Sequence, residues 1–343
     1  MKKRGPRLAD LASISGVSTA TVWKVLAGDK NVKEETRQKI ARVVESLSDT
    51  PWQAGASGEG NQVESLGVVA FRRHGDPLLS DPFYVGLLEG VEAESLERNC
   101  SLSVFSFPLD GPGGPRVRQA LEALADKPVD GLVLLGSLPA EFLPGLQPLG
   151  LPFVVVDHFS PSVGAPYFLI DNVEGALLAV RHLAMLGHAA IGMVCGPLEH
   201  HRFFMRHEGF LSAMRGLKIE PGLVLVDPHE SDPSTDWMLP IVEKGIRPGA
   251  VFCADDRYAF RLLKLAREKG LECPRDLSVV GFGDLPAASA SQPGLTTVRA
   301  DPGALGLRAA RKLMDLVGRP EAAPETYRAP VELVPRASTA RME

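Results

Sequence analysis

The first fifty residues carry apolar positions at a helical spacing. Leu8, Leu11, Ala12 and Ser15 share one helical face, Gly16-Val17-Ser18 interrupts it, and Val22, Val25 and Leu26 resume at i, i+3, i+4. Ile40, Val43, Val44 and Leu47 make a third face. Three short amphipathic helices are therefore predicted within residues 1–50. The period then stops. Thr50 to Gly60 reads TPWQAGASGEG, rich in Gly, Ser and Ala with no apolar repeat, and residues 51–62 read as a linker.

From residue 63 to 340 the pattern alternates. Short apolar runs fall at Ser65–Phe71, Leu102–Phe107, Gly131–Leu135, Phe153–Val156, Ile191–Cys195, Val224–Val226, Ala250–Cys253 and Ser278–Gly281. Helical patterns lie between them, at Val85–Arg98, Val173–Leu186, Gly209–Gly216 and Asp256–Lys269. This alternation predicts βαβ units and parallel sheets. Strands of a parallel sheet are covered on both faces, which is why the runs are continuously apolar. Eight or more strands divide into two doubly wound lobes, about 63–160 with 290–322 and 161–289 with 323–340 by this reading, and the crevice between such lobes is a natural ligand site. The expected fold is an N-terminal all-α head on an α/β body of two doubly wound parallel-sheet lobes.

At 343 residues, 45% of them hydrophobic, the chain is long enough to bury cores in two or three units without staples. Cys100, Cys195, Cys253 and Cys273 are far apart and form no C-x-x-C pair, so neither a zinc knuckle nor a disulfide framework is expected, and no cofactor or metal. Buried, reduced thiols fit a cytoplasmic setting. The basic start Met1-Lys2-Lys3-Arg4 leads into no apolar signal region, and no run of 18 apolar residues exists, so no membrane span is expected. Charge is divided unevenly. Residues 1–50 hold ten Lys and Arg against six Asp and Glu, and the rest of the chain holds 27 against 36. A basic head on an acidic body is the asymmetry expected when only the head approaches nucleic acid.

Leu8 to Gly28 reads as helix, tight turn at Gly16, then a second helix with Ser18 at the N-cap. With Val22, Val25 and Leu26 facing a core, Thr19, Ala20 and Lys24 turn outward near the N-terminal half of the second helix. In a helix-turn-helix that half enters the major groove. Lys24 can donate to guanine or phosphate, and the Thr19 and Ala20 methyls can touch a thymine methyl. Ser18 and Thr21 can donate to phosphate oxygens beside the helix N-terminus. The bland alternative is a three-helix bundle whose short polar residues are caps and surface.

The run AxxxGVSxATVxxVL followed by VKEETR (Val32–Arg37) resembles the LacI/GalR family of repressors. The resemblance implies base contacts at Thr19, Ala20 and Lys24 and a phosphate contact at Thr36. Trp23 and Lys33 depart from the Ser usual at both positions. Family members also carry a hinge helix that inserts a Leu into the minor groove, and here that position is Gly58. Gly55, Gly58 and Gly60 each weaken a helix by about 1 kcal/mol relative to Ala, so Leu-wedge kinking is not expected.

The resemblance continues through the body, which is also similar to periplasmic sugar-binding proteins. It runs through Asp81-Pro82-Phe83-Tyr84, Val129–Val133, Asp171-Asn172, Arg206–Phe210, Val251–Arg257, Asp276–Phe282 and Leu295–Arg299. It implies effector contacts from Phe83, Tyr84, Ser137, Asp157, Arg206 and Asp255. A carboxylate usual in the family is missing at Gly283 of Gly281-Phe282-Gly283-Asp284. Each position has a plainer reading. Arg206 can be a surface ion pair, Asp157 a turn residue and Asp255 a helix cap. His158, His200, His201 and His207 can be loop residues rather than metal ligands.

Three functions compete. A DNA-binding regulator, a repressor on the family resemblance, would read a near-palindromic double-stranded operator as a homodimer or tetramer and answer to a sugar or similar polar metabolite. A transport solute-binding protein would need the body alone, and the head argues against it. An enzyme is disfavoured because G-x-G-x-x-G, G-x-x-x-x-G-K-[ST] and G-x-S-x-G are all missing.

Overall fold

The computed structural model describes residues 8–26, 32–46, 63–72, 78–109, 116–227, 236–243, 249–319 and 324–342. The linker expected at 51–62, with Gly58, lies outside them, as do Leu47 and the side chains of Ala20 and Trp23.

The head forms α1 (Leu8–Ser15), α2 (Thr19–Leu26) and α3 (Glu34–Ser46). Local chemistry sets their ends. The Val17 N–H donates to the Ala12 carbonyl at 3.1 Å and closes α1 over Gly16. Ser18 Oγ accepts the Thr21 N–H at 3.1 Å, which satisfies a free donor at the start of α2. Glu34 and Glu35 face the positive end of the α3 dipole. Leu11, Val22 and Ile40, one from each helix, are fully buried.

The body continues with β1 (Ser65–Arg72), α4 (Pro82–Glu97), β2 (Ser101–Pro108), α5 (Val117–Ala125), β3 (Gly131–Leu135), α6 (Phe142–Leu146), β4 (Phe153–Val156) and β5 (Tyr167–Ile170). Then come α7 (Asn172–Met185), β6 (Ile191–Cys195), α8 (His201–Leu217), β7 (Pro221–Val226), α9 (Leu239–Val242), β8 (Ala250–Cys253) and α10 (Asp256–Glu268). The chain finishes with β9 (Ser278–Gly283), α11 (Pro286–Ala290), β10 (Thr296–Arg299), α12 (Pro302–Gly318), β11 (Thr326–Ala329) and β12 (Glu332–Val334). The strands make two six-stranded sheets, ordered β11-β5-β4-β3-β1-β2 and β12-β10-β9-β8-β6-β7. β1 pairs in parallel with both β2 and β3, and β6 with both β7 and β8. Each sheet therefore reverses its strand order there, and ligands of doubly wound sheets bind outside the carboxyl ends of strands at such a point.

Two compact units result, Met1–Phe168 with Gly303–Tyr327 and Leu169–Pro302 with Arg328–Glu343. This corrects the lobe boundaries read from sequence. Residues 290–302 belong to the second unit, because β10 extends the parallel pairing beside β9, with Thr296 opposite Val280. The first segment runs past residue 160, because Tyr167 and Phe168 pair with β4 as part of β5. The head clusters with the first unit. Leu11, Ala12, Val22 and Ile40 share one apolar cluster with Ala120, Leu121 and Leu124 of α5. A further correction concerns α8, expected over 209–216, which begins eight residues earlier at His201. Its first turns, His201 to Arg206, set two arginines and a histidine among apolar residues, and Arg202 and Arg206 are buried along with Phe203. No helix among the described residues is long and apolar enough to cross a membrane.

Within the first unit, α4 and α12 meet backbone to backbone. A Cβ on Gly90 would lie 2.0 Å from the Gly303 carbonyl oxygen, and one on Gly306 would lie 2.1 Å from that of Leu87. Beside this crossing, the fully buried Glu94 carboxylate takes the Arg311 guanidinium at 2.8 Å. The hydrogen bond from Arg311 holds that carboxyl below its usual value, against the effect of burial. Gly90→Val and Gly306→Val are each expected to lower the unfolding free energy by about 1–3 kcal/mol, because the helices must move apart. Gly164→Ala, where a Cβ meets nothing within 4 Å, should be neutral. Urea denaturation reads the difference, and three indistinguishable midpoints would mean that the crossing is slack.

Candidate functional site

In the head, the groove-reading positions named by sequence lie on or beside α2 and α3. Ser18 caps α2, and its hydroxyl lies 2.8 Å from that of Thr21, one turn on. Thr19 opens α2, and Lys24 stands in its last turn. Thr36 lies in the first turn of α3, half-buried. Ala20 is in α2, and its side chain is outside the described residues. The Lys24 ammonium lies 3.3 Å from Glu122 of α5.

In the first unit, Tyr84, Asp157 and the turn after β3 come together. The Tyr84 hydroxyl donates to Asp157 Oδ2 at 3.4 Å. Asp157 follows β4 directly, is buried, and holds a φ of +58°. Gly136, at φ +67°, lets the Tyr84 ring tip approach, since a Cβ there would lie 2.3 Å from the tyrosine oxygen. Ser137 follows in the same turn and is half-buried. Phe83 packs edge-on to Tyr84 with ring centroids 5.6 Å apart.

In the second unit, Arg206 is a buried helical residue rather than a surface ion pair. Its Nε donates to Asn172 Oδ1 at 2.8 Å, its Nη1 donates to the Ala254 carbonyl at 2.6 Å, and its guanidinium lies 3.6 Å over the Phe282 ring. Asp255 does cap α10, accepting the Arg257 N–H at 2.9 Å. Both of its oxygens also take the Arg257 fork, at 2.9 and 3.0 Å, a bidentate pair. Burial opposes ionisation of Asp255. The charge and hydrogen bonds of Arg257, with the charge of Arg202, outweigh burial and bring its carboxyl down to about 2. The neighbouring Asp256 goes the other way. Burial dominates, and it is pushed up to about 6, although the Thr297 hydroxyl and the Leu285 N–H donate to it at 2.5 and 2.8 Å.

Gly283 has a φ of +134°, a conformation that L side chains rarely adopt, so an Asp there would be strained. Asp284 is no substitute, because its carboxylate takes Arg299 at 2.7 Å and Arg336 at 2.6 Å. His201 and His207 lie on α8, not in a loop as expected, while His200, just before α8, and His158, after β4, are loop residues. Among the described residues no group of three His, Cys, Asp or Glu could hold a metal ion.

Sequence reasoning missed several residues here. The Trp237 ring meets Tyr258 edge-on at 5.9 Å, and its buried Nε1–H has no hydrogen-bond acceptor among the described residues. Tyr258 donates to Asp227 Oδ2 at 2.9 Å and stacks beside Phe203. Asn172 was visible as part of a motif but not as the partner of Arg206. The signal for Trp237 was a rare aromatic in a polar stretch, too weak to assign without the fold.

Residues 7–51 match the family described as bacterial regulatory proteins, lacI family, and residues 180–339 match a periplasmic binding protein-like domain. Among characterised proteins the chain is similar to the HTH-type transcriptional regulator MalR of Streptomyces coelicolor, 33% identical over 97% of this chain and 96% of MalR. It is also similar to the HTH-type transcriptional repressor PurR of Haemophilus influenzae, 28% identical over 93% of this chain and 94% of PurR. Among solved structures, a transcriptional regulator CelR–cellobiose complex aligns with a TM-score of 0.71 at 25% identity, covering 97% of this chain and 99% of CelR.

The adjacent carboxylates set a pH test. Asp256 titrates higher when folded, so its stabilising contribution is fully present below its ordinary value of 3.8 and is lost as pH rises through about 6. Asp255 is depressed, so its contribution is present above 3.8 and is lost only as pH falls through about 2. From pH 4.5 to 7, Asp256→Asn should gain on the parent protein by about 1–3 kcal/mol in urea unfolding. Parallel pH curves would mean that Asp256 does not titrate in this window.

Proposed function

The chain belongs to the lacI family of bacterial regulatory proteins, which are DNA-binding transcriptional regulators, and from that premise we propose that α2 reads a near-palindromic operator while the body answers to a small polar ligand. The observation that carries the reading is the head geometry: α1, the turn at Gly16, and an α2 capped by Ser18 whose core face is closed by Val22. Thr19, Ala20 and Lys24 are the proposed base contacts, and Ser18, Thr21 and Thr36 the phosphate contacts. Two heads of a homodimer, or of a tetramer, gain affinity by binding two half-sites together.

For the ligand we propose Phe83, Tyr84, Ser137 and Asp157 from the first unit and Arg206 and Asp255 from the second, to which Trp237 is added. An indole N–H buried without an acceptor among the described residues suits a ligand hydroxyl. The cellobiose bound by CelR supports a sugar as the ligand class. Ligand binding shifts the population of body conformations, and by linkage its coupling to DNA is reciprocal. In this reading the sign of control is repression, as in PurR, and the ligand leaves unaltered. Mass spectrometry of ligand after long incubation checks the last point, and a converted product would make the protein an enzyme.

The deciding experiment is selection of bound fragments from genomic DNA by the full-length protein at a stated salt concentration. A near-palindromic motif is the expected outcome, and salt-sensitive binding with no motif would sink the reading. Lys24→Ala should lower the ratio of operator to random-DNA affinity by about 1–3 kcal/mol, and an unchanged ratio removes Lys24 from base reading. Arg206→Ala should abolish the ligand response while operator binding persists. Trp237→Phe, which deletes only the N–H, should weaken ligand binding by about 0.5–1.5 kcal/mol in calorimetry.

A further inference from the structure

The DNA-reading helix does not stand open. Val17 and Val25 pack against the apolar cluster that contains Ala120, Leu121 and Leu124 of α5. Lys24 pairs with Glu122 at 3.3 Å, and the Thr19 hydroxyl donates to Asp126, the residue that ends α5. Glu122 and Asp126 are four residues apart and so share one face of that helix. Two of the three proposed base-contacting residues are thus held by carboxylates of the same chain.

Those carboxylates sit at the wrong end of their own helix. The C-terminus of α5 carries the negative end of its dipole, where acidic groups are disfavoured. The last turn of α5 contains no basic residue, and Asp126 is the C-cap itself. Arg118, one turn back, reaches Glu122 at 3.0 Å. The cationic partner that α5 lacks in its last turn is supplied by Lys24.

We propose that this contact is autoinhibitory. The end of α5 offers α2 two carboxylates where a duplex would offer phosphate and base acceptors, so a docked head cannot enter a groove, and DNA binding requires undocking. The inference rests on the reading of Thr19 and Lys24 as DNA contacts. Side chains of the Lys24–Glu122 pair are each about one-third exposed, at 31%, so the polar contacts hold the head only modestly. DNA can therefore compete, and anything that repositions α5 would set the fraction of heads available.

The test is a labelled duplex titrated with full-length protein at low salt, using the fragment recovered by selection and a random-sequence duplex. Glu122→Gln with Asp126→Asn should tighten binding to both duplexes by about three- to tenfold relative to a charge-matched control, Glu97→Gln with Glu141→Gln. The control removes the same two charges from exposed positions and so accounts for long-range repulsion. If the two double variants bind alike, the autoinhibition is overturned. Lys24→Ala made in the Glu122→Gln, Asp126→Asn background separates the premise from the inference. Loss of operator preference there, with no tightening from the carboxylate variant, sinks the docking alone. Retained operator preference sinks the base-contact reading of Lys24 on which the docking argument rests.

Discussion

A parallel sheet must be roofed on both faces, and nearly everything in the body follows from that requirement. The central strands β1, β3, β6 and β8 are buried almost throughout, so they tolerate little but apolar residues along their length. Polar chemistry is pushed to where the strands stop. Asp157 follows β4, Ser137 follows β3, Asp255 follows β8 and Gly283 ends β9. The same roofing demands helices that lie close, and where α4 meets α12 the demand is met by removing side chains altogether, at Gly90 and Gly306.

Burial also explains why adjacent carboxylates behave oppositely. Asp255 and Asp256 are neighbours in sequence, and burial raises both. Asp255 faces a guanidinium fork and stays ionised. Asp256 faces a hydroxyl and a backbone amide, neither of which carries charge, and burial wins. The pair works as a clamp on the start of α10: one carboxylate caps the helix from outside, and the other ties it to the segments that follow β9 and lie in β10.

The alternation of apolar runs in the sequence was enough for eight strands and the doubly wound class, because a buried parallel strand has few other ways to be written. It was not enough for β5, β10, β11 and β12, which are three or four residues long and, apart from β5, mix polar side chains with apolar ones. Two of the three crossings between units fall in β5 and β11, and the third follows β10 at the start of α12, so the lobe boundaries read from sequence were displaced. α8 was clipped because Arg202 and Arg206 count as polar in any periodicity, whereas in the fold their stems and planar heads lie on Phe203 and Phe282. Six of the seven proposed ligand residues came from resemblance. What resemblance could not supply was their surroundings, such as the Arg257 fork on Asp255 or the Asn172 bond to Arg206. The Trp237 ring meets Tyr258, which is distant in sequence and carries no local mark.

The apolar cluster that the head shares with α5 bears on how freely such proteins can be recombined. Heads that read different operators are attractive modules to transplant between regulators. Here Leu11, Val22 and Ile40 belong to the same core as Leu121 and Leu124, and the head's polar face matches acids at the end of α5. A transplanted head would bring its own groove-reading side chains but meet a foreign helix. Portability of operator preference in this architecture is therefore a property of two segments about a hundred residues apart in the chain, and a graft that carries one without the other exchanges the address and leaves the latch behind.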